Sequence, residues 1–127
     1  MSDRFDRGVR QLEAVDRGQV RRIVAGLRDI APDFARYLVE FPFGDIYARP
    51  GLDLRAREIA ALAALTVLGT APDQLKAHVQ AARNVGVSRE EIVEVIMQMV
   101  IYAGFPASLN ALAVAREAFA AQCPPPA

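Results

Sequence analysis

Two segments limit the fold most strongly: residues 59–68 and 92–101 are apolar nearly all the way round a helix. Apolar residues recur along the chain at i, i+3 and i+4, and the apolar–polar alternation that is typical of strands is absent. This pattern predicts an all-α fold. A helix that is apolar on every side has to be buried, because a helix on the surface of a monomer carries a polar face.

The length of the chain makes that burial difficult. A protein of 127 residues has a small interior, and two such helices would fill much of it. One solution is a central helix pair wrapped by the other helices. The other is a homo-oligomer that buries part of both helices between subunits, and the size of the chain favours it. The length also suits a single domain over residues 1–127, with residues 123–127 as a flexible, proline-rich tail.

Local signals predict where the helices begin and end. Residues 4–14 form a weak amphipathic segment, residues 19–30 a helix, and Pro32 suits the first turn of a third helix. Pro42 and Gly44 should distort that third helix before Tyr47.

The second half of the chain carries stronger signals. Asp53 is predicted to cap a helix that ends at Gly69. Pro72 begins the next helix, and Gly86 ends it. Ser88 opens a capping box for a helix that runs to residue 102, and a last helix covers about residues 106–121.

Composition excludes several classes of function. Fifteen basic residues balance fifteen acidic ones, so the chain lacks the basic surface of a nucleic-acid-binding protein. The N-terminus is polar and resembles no signal peptide, and no apolar stretch is long enough to span a membrane. We therefore expect a cytoplasmic protein without a membrane partner. One histidine and one cysteine, Cys123, fall short of a typical zinc site, so no metal is predicted.

His78 is the first candidate for chemistry. It is the only histidine, and on its helix it shares a face with Leu75, Val79 and Ala82. A histidine on an apolar face is either a core residue, hydrogen-bonded to a carbonyl or carboxylate, or a general acid/base in a partly dry pocket.

Glu58 is the second candidate, in the first turn of the helix that follows Asp53. Acidic residues favour helix N-termini and Arg55 stands three residues earlier, so a structural ion pair is one interpretation. The other is a partnership with His78. In a simple antiparallel hairpin the two residues would be offset by roughly 7 Å along the axis. Direct contact would then need helix tilt, a bridging water or a neighbouring subunit.

Two further groups are candidate ligand contacts. Glu94, Gln98 and Tyr102 follow one another at i+4 in an apolar segment, where they predict either an interface network or a pocket lining. An aromatic cluster beside Arg49 is interpreted mainly as core, and the wall of a ligand site is the alternative; its members are Phe41, Phe43 and Tyr47. Asn110, on the last helix, has no predicted partner.

A series of short motifs resembles the carboxymuconolactone decarboxylase family over roughly residues 30–120. In chain order they are Phe41-Pro42-Phe43-Gly44-Asp45, Arg49-Pro50-Gly51-Leu52-Asp53, Arg57-Glu58, His78 with Ala82, Asn84-Val85-Gly86, Glu90-Glu91-Ile92-Val93-Glu94, Gln98, and Tyr102-Ala103-Gly104-Phe105-Pro106-Ala107. The resemblance implies an AhpD-like bundle of about six or seven helices, assembled into trimers or hexamers.

The resemblance also implies one of two chemistries. One branch removes carbon dioxide from a carboxylated muconolactone in aromatic catabolism. The other reduces peroxides with a Cys-x-x-Cys pair just before the histidine and an upstream glutamate; here Ala71 and Gln74 stand at the two thiol positions. The chain also departs from the decarboxylase branch, which often has a serine-like residue at the position of Glu58 and a histidine at that of Gln98.

These observations predict a cofactor-free lyase that acts on a small carboxylated lactone or a related enol or keto acid. His78 and Glu58 are the expected catalytic residues. The substrate carboxylate would meet Arg49, Arg55 or Arg57; the forming enolate would meet Gln98 or Tyr102, and Phe43 would line the site. The alternatives are a non-decarboxylating tautomerase, isomerase or cyclase, and a non-catalytic oligomeric binding protein. Peroxide reduction is disfavoured because both thiols are absent.

Overall fold

The computed structural model describes residues 2–122, which contain helices and turns but no strand. The all-α prediction is confirmed for these residues. The chain divides into two compact units, Met1–Leu54 and Arg55–Ala127, and each is described by itself. The predicted tail with Cys123 lies outside the described residues, and a single domain over the whole length stays a prediction. No helix in the described part of the chain is both long enough and apolar enough to cross a membrane.

The first unit consists of three α-helices and a π-helical segment. They are α1 (Asp3–Val15), α2 (Gln19–Leu27), α3 (Pro32–Leu38) and the π-helical segment Val39–Tyr47. Pro32 begins α3 as predicted. The predicted helix over residues 19–30 is too long, because α2 ends at Leu27 and the Ile30 amide donates to the Leu27 carbonyl, only three residues earlier. The proline that follows also keeps Ala31 out of the helical region.

The distortion predicted at Pro42 is confirmed, and it takes the form of the π-helical segment. Proline lacks the amide that a regular turn would need, so the helix widens around it. α1 packs closely along this segment through two glycines. A Cβ atom on Gly8 would lie 2.1 Å from the Val39 carbonyl oxygen, and one on Gly44 would lie 2.3 Å from that of Arg4. Only glycine allows the two backbones to come this close.

We expect Gly8→Ala to destabilise the protein by about 1–3 kcal/mol, because the new methyl group collides with backbone that cannot move cheaply. Gly26 supplies the matched control: it lies inside α2, and a Cβ there would meet nothing within 4 Å. Gly26→Ala should stabilise the protein by up to about 1 kcal/mol, since alanine favours a helix. Thermal unfolding followed by circular dichroism measures both changes. Equal melting temperatures for the two variants would contradict the close crossing.

The described part of the second unit, up to residue 122, forms five α-helices. They are α4 (Leu54–Leu68), α5 (Pro72–Asn84), α6 (Arg89–Gln98), α7 (Val100–Ala103) and α8 (Phe105–Gln122). α8 is the central element, against which α5, α6 and α7 pack. The core beneath them holds Leu62, Val79, Ile92, Ile96 and Ala115, all at most 1 % exposed. The two apolar segments therefore reach this core through part of their surface.

Most predicted helix boundaries of the second unit are confirmed. α4 begins directly after Asp53, and Pro72 begins α5. Gly69 and Gly86 have positive φ angles of 71° and 95° and end their helices. The capping box is also present. The Ser88 hydroxyl accepts a hydrogen bond from the Glu91 amide at 3.0 Å, and the Glu91 carboxylate accepts one from the Ser88 amide at 2.9 Å.

The predicted helix up to residue 102 is wrong, because α6 ends at Gln98 and a separate short helix, α7, follows Met99. The Ile96 carbonyl explains the break. It accepts a hydrogen bond from the Met99 amide at 3.1 Å, which tightens the turn. It also accepts a hydrogen bond from the buried Ser108 hydroxyl of α8 at 3.0 Å. A side chain that bonds into the carbonyl ladder interrupts a helix in this way.

Candidate functional site

Glu58 of α4 and His78 of α5 are in direct contact within the second unit. The distance between His78 Nδ1 and Glu58 Oε1 is 2.6 Å. The spacing of the two residues in the sequence had left this contact open. The backbones of α4 and α5 run close together over only a short stretch. The two helices therefore do not form the tight antiparallel pair in which Glu58 and His78 would be offset by roughly 7 Å along the axis. Two long side chains then span the remaining gap.

The two members of the pair differ in burial. Glu58 is 0 % exposed, whereas the His78 side chain is 26 % exposed. A carboxylate removed from water needs hydrogen-bond donors, and the imidazole supplies one. A carboxylate at 2.6 Å accepts a hydrogen bond from Nδ1–H, which leaves Nε2 to exchange a proton with another molecule. The arrangement can therefore perform general acid/base chemistry at Nε2.

Arg55 does not pair with Glu58, as the ion-pair interpretation had suggested. Its guanidinium group binds the carboxylate of Glu91, at the start of α6. The pKa of Glu91 lies below its usual value, first because the Ser88 amide donates to the carboxylate and then because Arg55 does. Arg55 is thus committed to a contact between the first turns of α4 and α6. It is a weaker candidate for holding a substrate carboxylate than the sequence suggested.

The other arginine and aromatic candidates lie at different places. Arg57 is half-buried and ends the first turn of α4. Glu58 follows it and lies just beyond the first turn, although the sequence predicted it within that turn. Arg49 is exposed and Phe43 is buried, and both belong to the first unit. The ring of Phe43 packs against that of Tyr47 with centroids 4.7 Å apart. This contact agrees with a core role for Phe43, but the core interpretation is wrong for Phe41, which is 59 % exposed. A ligand role for Phe43 and Arg49 stays a prediction.

The polar line of Glu94, Gln98 and Tyr102 is interrupted by the break at Met99. Glu94 and Gln98 lie on α6, and Tyr102 lies on α7. All three are exposed, and Tyr102 keeps 68 % of its surface accessible. A closed pocket lined by this stripe is absent from the second unit as described, and the stripe's place at an interface or at a ligand stays a prediction.

Sequence reasoning missed a small cavity beside the α4–α5 turn. Thr66 and Leu75 line it, together with residues of α8. One signal was present in the sequence: Glu58, Leu62, Leu65 and Thr66 follow at i, i+4, i+7 and i+8, so they share one face of α4. The description of residues 59–68 as apolar all the way round did not single out this face.

Comparisons with known proteins agree with this architecture. The sequence profile of the carboxymuconolactone decarboxylase family matches residues 32–117. The chain is 34 % identical over 117 residues to 4-carboxymuconolactone decarboxylase of Acinetobacter baylyi, which covers 91 % of this chain and 87 % of the relative. It is 34 % identical over 95 residues to an uncharacterized 15.0 kDa protein of Paracoccus denitrificans, with 74 % and 71 % covered. It is 31 % identical over 80 residues to nitrosuccinic acid decarboxylase of Metarhizium robertsii, with 63 % and 55 % covered. The chain belongs to the carboxymuconolactone decarboxylase family.

Proposed function

We propose that this protein is a cofactor-free carboxy-lyase that acts on a small carboxylated lactone or a related enol or keto acid. The observation that carries the proposal is the 2.6 Å contact between the buried Glu58 carboxylate and the half-exposed His78 ring. Two relatives named as decarboxylases, one acting on 4-carboxymuconolactone and one on nitrosuccinic acid, support the reaction type. On this proposal the protein serves aromatic catabolism in the cytoplasm.

The reaction needs a place for an electron pair and a source for one proton. The bond between the substrate carbon and its carboxylate breaks, and carbon dioxide leaves. The electron pair of that bond is delocalised onto the conjugated carbonyl oxygen as an enolate. His78, protonated at Nε2, then gives this proton to carbon and afterwards regains one from solvent. Glu58 accepts the hydrogen bond from Nδ1–H throughout and fixes the direction of the ring.

The remaining roles fall to residues around the pair. We assign the substrate carboxylate to Arg57, because Arg55 binds Glu91 and Arg49 belongs to the first unit. Gln98 and Tyr102 carry donors suited to a forming enolate oxygen. In this proposal they act from the exposed ends of α6 and α7.

The direct experiment is an assay of carbon dioxide release by the full-length protein, with 4-carboxymuconolactone and nitrosuccinic acid as test substrates. We expect release from the carboxylated lactone. Conversion of the lactone without carbon dioxide would replace the proposal by the tautomerase or isomerase alternative. Failure to consume any carboxylated lactone, enol acid or keto acid of a panel would reject the enzyme and favour the binding protein.

We further propose that the protein is a homo-oligomer. The second unit exposes a run of large apolar residues at i+4 spacing across the α7–α8 junction: Ile101 is 72 % exposed, Phe105 72 % and Leu109 60 %. Side chains this large seldom stay in water as a group, and such patches mark association sites. A second copy of the chain fits because Ile101, the first residue of the run, belongs to residues 92–101, the all-round apolar segment.

We expect Phe105→Glu to shift the protein to smaller species in sedimentation velocity, because a charge in an apolar interface cannot be desolvated without a partner. Ala120→Glu is the matched control. It adds the same charge at an exposed position of the same helix, about 22 Å further along at 1.5 Å per residue, and should leave the sedimentation coefficient unchanged. A wild-type protein that sediments as a monomer at micromolar concentration would reject the oligomer.

A further inference from the structure

Three helices of the second unit form a small, partly open cavity at the α4–α5 turn. Its lining includes Leu65, Thr66, Ala71, Leu75, Ala107 and Asn110. The cavity volume is about 30 Å³ for the centre of a water-sized molecule, which is space for roughly two waters. Most of these side chains are hydrocarbon. The Thr66 hydroxyl is already used, because it donates to the Leu62 carbonyl at 2.7 Å.

The cavity and the Glu58–His78 pair lie on the same faces of the same two helices. On α4, Leu65 and Thr66 follow Glu58 at i+7 and i+8, which is the same face two turns further along. On α5, Leu75 precedes His78 by three residues, which is one turn. Both paths lead from the pair towards the α4–α5 turn. At a rise of 1.5 Å per residue, the cavity begins about 5 Å from His78 along the helix axis.

We propose that this cavity is the specificity pocket of the Glu58–His78 site and holds the apolar end of a small lactone. The inference rests on the proposed function of the pair. A substrate whose carbonyl group faces Nε2 of His78 extends its ring substituent over one turn of α5, past Leu75, into the cavity. The exposed amide of Asn110 stands among the lining residues as the one polar side chain with free donors and acceptors.

The size of the cavity limits what it accepts. Space for about two waters holds one or two carbon atoms of a side chain, and the further carbons of a longer chain stay outside the cavity. Each buried methylene strengthens binding by about fourfold. Affinity should therefore rise over the first two substituent carbons and then stop rising, which separates a bounded pocket from an open apolar surface.

The test uses four γ-lactones as probes: γ-butyrolactone, γ-valerolactone, γ-hexalactone and γ-octalactone, with no, one, two and four side-chain carbons. Binding to the full-length protein is followed by NMR through ¹³C-labelled alanine methyl groups. We expect affinity to increase about fourfold for each of the first two carbons and not to increase from γ-hexalactone to γ-octalactone. The methyl signals of Ala71 and Ala107 should shift on titration.

Ala71→Leu, directly before α5, fills the cavity and should abolish the increase of affinity with side-chain length. γ-Butyrolactone, which has no side chain, should still bind within about twofold of its affinity for the wild type. Ala107→Leu fills it from α8 and should do the same, which covers the case that one variant folds poorly. Gln74→Leu is the control, since it adds the same side chain on α5 at an exposed position that does not line the cavity.

Equal affinities for all four lactones, or an unchanged series in both filled variants, would overturn the pocket. These binding results do not depend on turnover. If the protein releases no carbon dioxide but its affinity rises over the first two side-chain carbons and then stops, the pocket is supported and the proposed function is rejected. If the protein releases carbon dioxide but binds all four lactones with equal affinity, the proposed function is supported and the pocket is rejected.

Discussion

Replacing His78 by asparagine is expected to lower kcat/KM for carbon dioxide release by about 10²–10⁴-fold, which is the usual contribution of a placed general acid. The asparagine amide can still donate to Glu58 from nearly the position of Nδ1, so the buried carboxylate keeps a partner. The variant lacks only the atom that exchanges the proton. Steady-state kinetics with the carboxylated lactone measures the loss.

His78→Ala gives a second measurement of the same role. It removes one hydrogen-bond donor of a fully buried carboxylate and should lower the melting temperature as well as the activity. Imidazole added to the solution should restore part of the activity of this variant if Nε2 acts as the acid. Gln74→Asn, at an exposed position of the same helix, should behave as wild type. Full activity in both His78 variants would show that the ring is structural.

The helices could be predicted from local signals because those signals act over a few residues. Proline at the first turn of α3 and α5, the capping box at Ser88 and the positive φ angles of Gly69 and Gly86 all operate within one turn of the chain. The break at Met99 could not be predicted in this way. It depends on the Ser108 hydroxyl, which reaches Ile96 from the next long helix, and no pattern within α6 indicates that bond.

The candidate site could be predicted only in part, for a similar reason. Sequence spacing gave the faces of α4 and α5 that carry Glu58 and His78, but their contact depends on how two helices diverge, which spacing does not contain. Charge spacing was misleading at Arg55, whose partner Glu91 stands 36 positions along the chain instead of three. Periodicity likewise could not separate Ile96, which is fully buried, from Ile101, which is 72 % exposed.

The second large effect is expected for Glu58→Gln, which should reduce kcat by about 10²–10⁴-fold with little change in fold. Glutamine has the same shape but no charge, so it does not stabilise the imidazolium that gives its Nε2 proton to carbon. Its amide group can also turn its NH₂ towards Nδ1, and the ring is then a neutral tautomer that would become an imidazolate on donating its Nε2 proton. An amide in place of the carboxylate costs about 10⁴-fold in the serine protease triad, through the same loss of tautomer control.

Two measurements are read together: ¹⁵N NMR of the ring tests whether the carboxylate sets the tautomer of His78, and kcat tests whether that control is needed for the chemistry. The wild-type neutral ring should carry its proton on Nδ1, and in Glu58→Gln a fraction of the molecules should carry it on Nε2.

Glu91→Gln is the matched control. It makes the same change on α6, and glutamine at that position can still complete the capping box with Ser88, so only the Arg55 contact is weakened. Its activity should stay within about threefold of wild type, since exposed ion pairs contribute little. Retained activity and an unshifted ring in Glu58→Gln would mean that the carboxylate does not orient His78, and the 2.6 Å contact would then be a core hydrogen bond without a part in the chemistry.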